Sequence, residues 1–180
     1  MLQEQHDVFY YITVMNENYA QPTLPDSVHD AVLRGCYLLQ THTPDTPDGA
    51  GRAVTLLGSG AILGEVQRAA EQLAASGITA YVYSVTSWSE LAREGREQAQ
   101  QDQPGFLARQ LADSQGPVIA ASDYVCLVPE SVRAFVPSGR RYVTLGTDGF
   151  GRSDTRAELR KFFGVDAQAI SAAAKRALAG

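Results

Sequence analysis

Histidine is almost missing from this chain of 180 residues: there are 3, and none follows His42. A nucleophilic serine needs a partnered base, so Ser-His-Asp chemistry has no basis in the long C-terminal portion. His6, His29 and His42 stand apart from one another and read as surface or linker residues. Cysteine is just as sparse. Cys36 and Cys126 lie far apart with no Cys-x-x-Cys pair, which excludes a disulfide scaffold and a clustered zinc site. They read as small buried apolar residues in a reducing compartment. Basic residues do not exceed acidic ones: 15 Lys and Arg face 20 Asp and Glu, for a net charge of −5 and a pI of about 5.1. Nothing in that balance calls for nucleic acid or an anionic membrane as partner. No apolar run reaches the length of a bilayer span. Residues 1–7 are polar and acidic, unlike a secretory signal, so the expected location is cytoplasmic.

What is present is the composition of one globular domain, 44% apolar and 19% charged. Residues 8–15 are rich in aromatic and β-branched side chains and predict a strand. Pro22 and Pro25 mark an extended connector, residues 26–34 a short helix, and residues 35–39 a second strand. Residues 41–51 form a connection rich in Thr, Pro and Gly. From Ala53 onward, short apolar strands (53–57, 80–85, 116–121, 141–145) alternate with helices. Helix 61–75 carries Ile62, Val66, Ala69, Ala70 and Leu73 at three-and-four spacing. A further helix is capped by Ser87 or Ser89, a short one covers 106–111, and Pro129 kinks or splits one capped by Asp123 over 124–134. Two final helices cover 154–163 and 166–178. The alternation predicts an α/β fold, a mostly parallel five-stranded sheet with helices on both faces, the early strands adding at an edge. Residues 1–52 are expected to be an N-terminal extended segment with edge strands, and 53–180 the α/β core, together one domain.

Two turns carry the candidate chemistry. Gly58-Ser59-Gly60 lies between a strand and a helix. Such a turn can offer free N–H groups to an anion, or it can be a plain tight turn with Ser59 as helix cap. It is not a dinucleotide fingerprint, because Leu63 stands where the third glycine belongs, and no Gly-Lys-Ser/Thr makes it a phosphate loop. The stretch from Gly146 to Thr155 holds Gly146, Gly149 and Gly151 within six residues and follows a strand, where open α/β sheets hold ligands. Asp148, Arg152 and Asp154 are candidates to pair with one another. The alternative reading makes this a docking loop: Phe150 projects outward, Asp148 and Arg152 form a charged rim, and Ser153 or Asp154 caps a helix that carries Leu159, Phe162 and Phe163 into the core. Trp88, the only Trp, is expected to pack between domains or subunits.

Five segments occur in an order that resembles one family. They are VFYYITVMNENY at 8–19, LLGSGAIL at 56–63, YSVTSWSELAREG at 83–95, GPVIAASDY at 116–124 and YVTLGTDGFGRSDTR at 142–156. Together they are similar to the C-terminal domain of homodimeric pyruvate dehydrogenase first components, in the transketolase superfamily. The resemblance implies the same five-stranded α/β unit. For a parent chain several times longer, it implies decarboxylation of pyruvate on thiamine diphosphate with magnesium, then acetylation of a lipoyl group on the acyltransferase component. Those cofactor ligands belong to the two preceding domains, so no catalytic, cofactor-binding or metal residue carries over to this chain. The implied partners are the preceding domains, the second subunit of a homodimer and, indirectly, the acyltransferase component. One departure stands out: after residue 95 the family's Trp-Asn and His-Pro pairs are absent, and the chain runs through 96–103 without them. The rival reading is a free-standing small-anion binding or regulatory module of the same fold.

Overall fold

The computed structural model describes residues 3–5, 7, 18–20, 22–45 and 51–180. The strand expected at 8–15 and the middle of the 41–51 connection lie outside the described residues. Strands β1 (Cys36–His42), β2 (Ala53–Gly58), β3 (Thr79–Val85), β4 (Val118–Ala121) and β5 (Tyr142–Leu145) form one sheet in the order β1-β3-β2-β4-β5. Pairings β2–β3, β2–β4 and β4–β5 are parallel, and β1 runs antiparallel to β3 along the edge. The α/β fold with a mostly parallel five-stranded sheet is therefore observed as expected. The second strand is longer than residues 35–39 because pairing with β3 continues to His42 past an irregularity between Leu38 and Gln40.

The central strands are short and apolar because both of their faces are covered. Every residue of β2 and β4 is buried. Alternate side chains divide between two layers. Val54, Leu56, Ile119 and Ala121 meet helices α2 (Leu63–Ala74) and α7 (Ala167–Ala179) on one face. Leu57, Val118 and Ala120 meet α3 (Trp88–Ala99) and α4 (Phe106–Gln110) on the other. Burying each large aliphatic side chain contributes about 1.5–3 kcal/mol. On α7, Ala167, Ala173, Ala174 and Ala177 are buried, and their small size lets α2 and α7 pack against each other.

Several helix starts differ from expectation for local reasons. Ser87 is the cap of α3, its hydroxyl accepting from Glu90 N at 3.1 Å. Trp88 is not an interdomain residue: at 5% exposure it belongs to the core between β3 and α3. Asp123 caps no helix; Ser122 Oγ accepts from Tyr124 N instead, and α5 (Leu127–Glu130) begins later. Pro129 does split that region, since a separate 3-10 turn follows at Arg133–Phe135. The last two helices are α6 (Arg156–Phe163) and α7, separated by Gly164 in the left-handed conformation, φ 68°.

Candidate functional site

The chain leaves β2 for β3 on one side and reaches β4 on the other, so the strand order reverses at the carboxyl ends of β2 and β4. Crevices at such reversals are where open α/β sheets bind ligands. Both candidate turns of the sequence lie beside this point. Gly58 is required there, because a Cβ would stand 2.9 Å from Val66 Cγ2 and push α2 off the strand. Ser59 does not cap the helix: its buried hydroxyl lies 2.9 Å from Ser122 Oγ and ties the end of β2 to the end of β4. The helix opens through a 3-10 turn, Gly60–Ile62, in which Ile62 N already donates to Ser59 O. A Cβ on Gly60 would stand 3.6 and 3.9 Å from the Asp123 carboxylate oxygens, so a negative group of the chain itself lies on the turn.

Behind it stands Glu65, an acid that sequence reasoning passed over. It is 5% exposed on the apolar face of α2, three residues after Ile62, and that spacing is the signal that marks it. One carboxylate oxygen accepts from Arg68 and, at 3.1 Å, from Arg160 on α6; the other accepts from Ala167 N at the start of α7. Arg160 also donates to the hydroxyl of Tyr19 in the N-terminal connector. Three helices, α2, α6 and α7, thus meet at one buried charge, and the N-terminal connector joins them through Arg160.

The loop after β5 is pinned at its start and projects at its tip. Gly146 is needed for close approach, since a Cβ would lie 2.6 Å from Tyr124 O and 2.7 Å from Cys126 N. Thr147 N donates to Tyr124 O and its hydroxyl to Asp123 O. Of the three glycines only Gly149 takes a positive φ, 96°. Asp148 and Arg152 are both exposed on either side of Phe150, and the Asp148 carboxylate also accepts from Cys126 N at 2.9 Å. The central carbon of the Arg152 guanidinium lies 4.1 Å from the centre of the Phe162 ring. Phe150 is 96% exposed, as the docking reading expects. Neither Ser153 nor Asp154 is the cap of α6. That cap is Thr155, whose hydroxyl accepts from Glu158 N, while the Asp154 carboxylate accepts from Thr155 N. Phe162 is 57% exposed and is no core residue, whereas Phe163 packs against the core.

Between the loop and α6 opens a pocket of about 320 Å³. Ile62, Leu159, Phe163 and Val165 supply its apolar wall, and Asp123, Thr147, Arg152, Arg156 and Arg160 its polar rim. The thiols add no nucleophile. Burial pushes Cys36 up to about 12; burial, then Asp148 nearby, push Cys126 up to about 11. Among the described residues no group of three or more His, Cys, Asp or Glu is placed to hold a metal ion. No described helix is long and apolar enough to cross a membrane.

Comparison with known proteins agrees with this architecture. The family model of the transketolase-like TK C-terminal domain matches residues 35–166. A curated pyruvate dehydrogenase E1 component of Pseudomonas aeruginosa is 45% identical over 99% of this chain, and that of Escherichia coli K12 is 41% identical over 98%. The chain spans only 21% and 20% of those relatives' lengths. Among solved structures, the inactive β4 tetramer of a split-gene transketolase superposes with a TM-score of 0.56 at 22% identity, covering 80% of this chain and 42% of its own. The transketolase of Leishmania mexicana gives 0.54 at 21% identity over 83% of this chain and 19% of its own. These two likenesses speak for the fold alone.

Proposed function

The chain belongs to the family of transketolase-like TK C-terminal domains, and from that premise we propose that it serves as the non-catalytic C-terminal domain of a pyruvate dehydrogenase first component. The observation that carries the reading is the 45% identity along 99% of this chain to one fifth of a much longer relative. The parent would decarboxylate pyruvate on thiamine diphosphate with magnesium and acetylate the lipoyl group of the acyltransferase component. It would work as a cytoplasmic homodimer. Residues 1–52 and 53–180 would act as one domain; β1, which lies in the first stretch, pairs along β3 of the second, which supports this.

The glycine turn of this chain does not fit the diphosphate of the cofactor. The Gly58-Ser59-Gly60 turn carries the Asp123 carboxylate beside it, and the first turn of α2 offers no Lys or Arg. A diphosphate placed there would meet like charge. No catalytic step is therefore routed through these residues. The same Asp123 weighs against the rival reading, a small anion held by that turn alone.

The role left to the domain is packing. Phe150 is exposed at the tip of a loop whose base is fixed by Thr147 and Asp148, which suits a side chain that docks on the preceding domains or on the second subunit. The acyltransferase component would be reached only indirectly. The test is Phe150→Ala in the full-length parent, followed by sedimentation at graded concentration, with thermal melting of this chain in parallel. The expected result is a weaker parent dimer or looser interdomain contact, and a melting temperature of this chain within about 2 °C of the original. A large loss in this chain with the parent dimer unchanged would show that Phe150 serves the domain's own fold.

A further inference from the structure

We propose that the pocket between the loop after β5 and helix α6 binds a small organic monocarboxylate with an apolar body. The inference is independent of what the parent does, and it assigns the ligand to a place other than the glycine turn.

Three features of the pocket converge on that ligand class. Its volume of about 320 Å³ falls within the range of small-molecule sites, and it opens at the strand-order reversal. Its wall is aliphatic and aromatic: Ile62 comes from the turn after β2, Leu159 and Phe163 from α6, and Val165 from the link to α7. The rim presents guanidinium groups, and Arg152 is the one available to a ligand. The central carbon of its guanidinium lies 4.1 Å from the centre of the Phe162 ring, and it makes no ion pair among the described residues. Contact with a ring face restrains a guanidinium without using its N–H groups, which stay available to grip a carboxylate through two parallel hydrogen bonds. Arg160 is already engaged with Glu65 and Tyr19, so it adds positive potential more than a free donor.

Asp123 sets the charge limit. Its carboxylate sits on the same rim, over Gly60. A dianion such as phosphate meets that charge, whereas a monocarboxylate held at Arg152 keeps its single charge at the guanidinium and lays its apolar body on the wall. Asp123 is then a selectivity element that rejects inorganic anions.

The test is a titration of isotope-labelled chain with benzoate, read by backbone-amide and methyl resonances, beside benzyl alcohol and inorganic phosphate. The expected result is saturable shifts of Ile62, Leu159, Val165 and Thr147 with benzoate below about 10 mM. Benzyl alcohol and phosphate should each bind at least about tenfold more weakly, a difference of about 1.4 kcal/mol. Arg152→Gln should weaken benzoate by a similar factor. Asp123→Asn should tighten benzoate and admit phosphate, a gain that loss of folding does not mimic. The proposal is overturned by the absence of saturable shifts at these residues, by benzyl alcohol binding as well as benzoate, or by Asp123→Asn weakening both anions.

Discussion

Arg140 shows how much one side chain can hold without a counter-ion. Its guanidinium donates to the carbonyls of Leu111, Ser114, Gln115 and Gly116 and to the hydroxyls of Ser114 and Thr55, at 2.5 to 3.3 Å. It closes the loop between α4 and β4 against the first half of β2, where Thr55 is fully buried. Burial holds its pKa below the usual arginine value, yet the group keeps its charge throughout the physiological range. Hydrogen bonds to a charged group are each worth about 1.5–3 kcal/mol net, and several are lost together, so Arg140→Met is expected to cost about 3 kcal/mol in urea unfolding. Arg140→Lys should recover less than half of it, because an ammonium offers three donors from one point and cannot span acceptors on both sides of the loop. A cost below about 1 kcal/mol for Arg140→Met would mean that the loop is held by its own turns.

At the scale of elements, the start of α6 decides where the candidate docking loop ends. Thr155, with Glu158 three residues later, has capping-box spacing, and its hydroxyl accepts from Glu158 N. Thr155→Ala is expected to lower stability by about 1 kcal/mol and to fray the first turn of α6. Ser153→Ala is expected to be neutral to within about 0.5 kcal/mol, since Ser153 is exposed and caps nothing. Thermal melting of the two variants separates these outcomes; equal losses would place the cap elsewhere. Ser153 and Asp154, the caps read from the sequence, made this helix legible but not its first residue, since the cap is Thr155. The choice among them falls to distant contacts: Thr147 on Asp123, Asp148 on Cys126 and Arg152 on Phe162 fix how much chain the loop uses. Glu65 was hidden for a similar reason. Two of its three partners, Arg160 and Ala167, lie 95 and 102 residues away and come together only in the folded chain.

Across the whole molecule, legibility follows burial. β2 and β4 are covered on both faces, so their residues are apolar without interruption, and the parallel α/β sheet could be read from that pattern. Trp88 misled because a large amphipathic ring suits an interface as well as a core; only the packing of α3 on β3 puts it inside. Phe150 was legible as a projecting residue because its glycine neighbours contribute no side chains to bury it. The reversal of strand order beside Gly58 was not legible, since it depends on which strands pair. The proposed function gives this fold a packing role in a larger enzyme and no cofactor chemistry of its own. Calorimetric titration of thiamine diphosphate with magnesium into this chain, beside the full-length parent, tests it most directly. The expected result is saturable binding to the parent and no binding to this chain tighter than about 1 mM. Saturable binding to this chain below that concentration would contradict it.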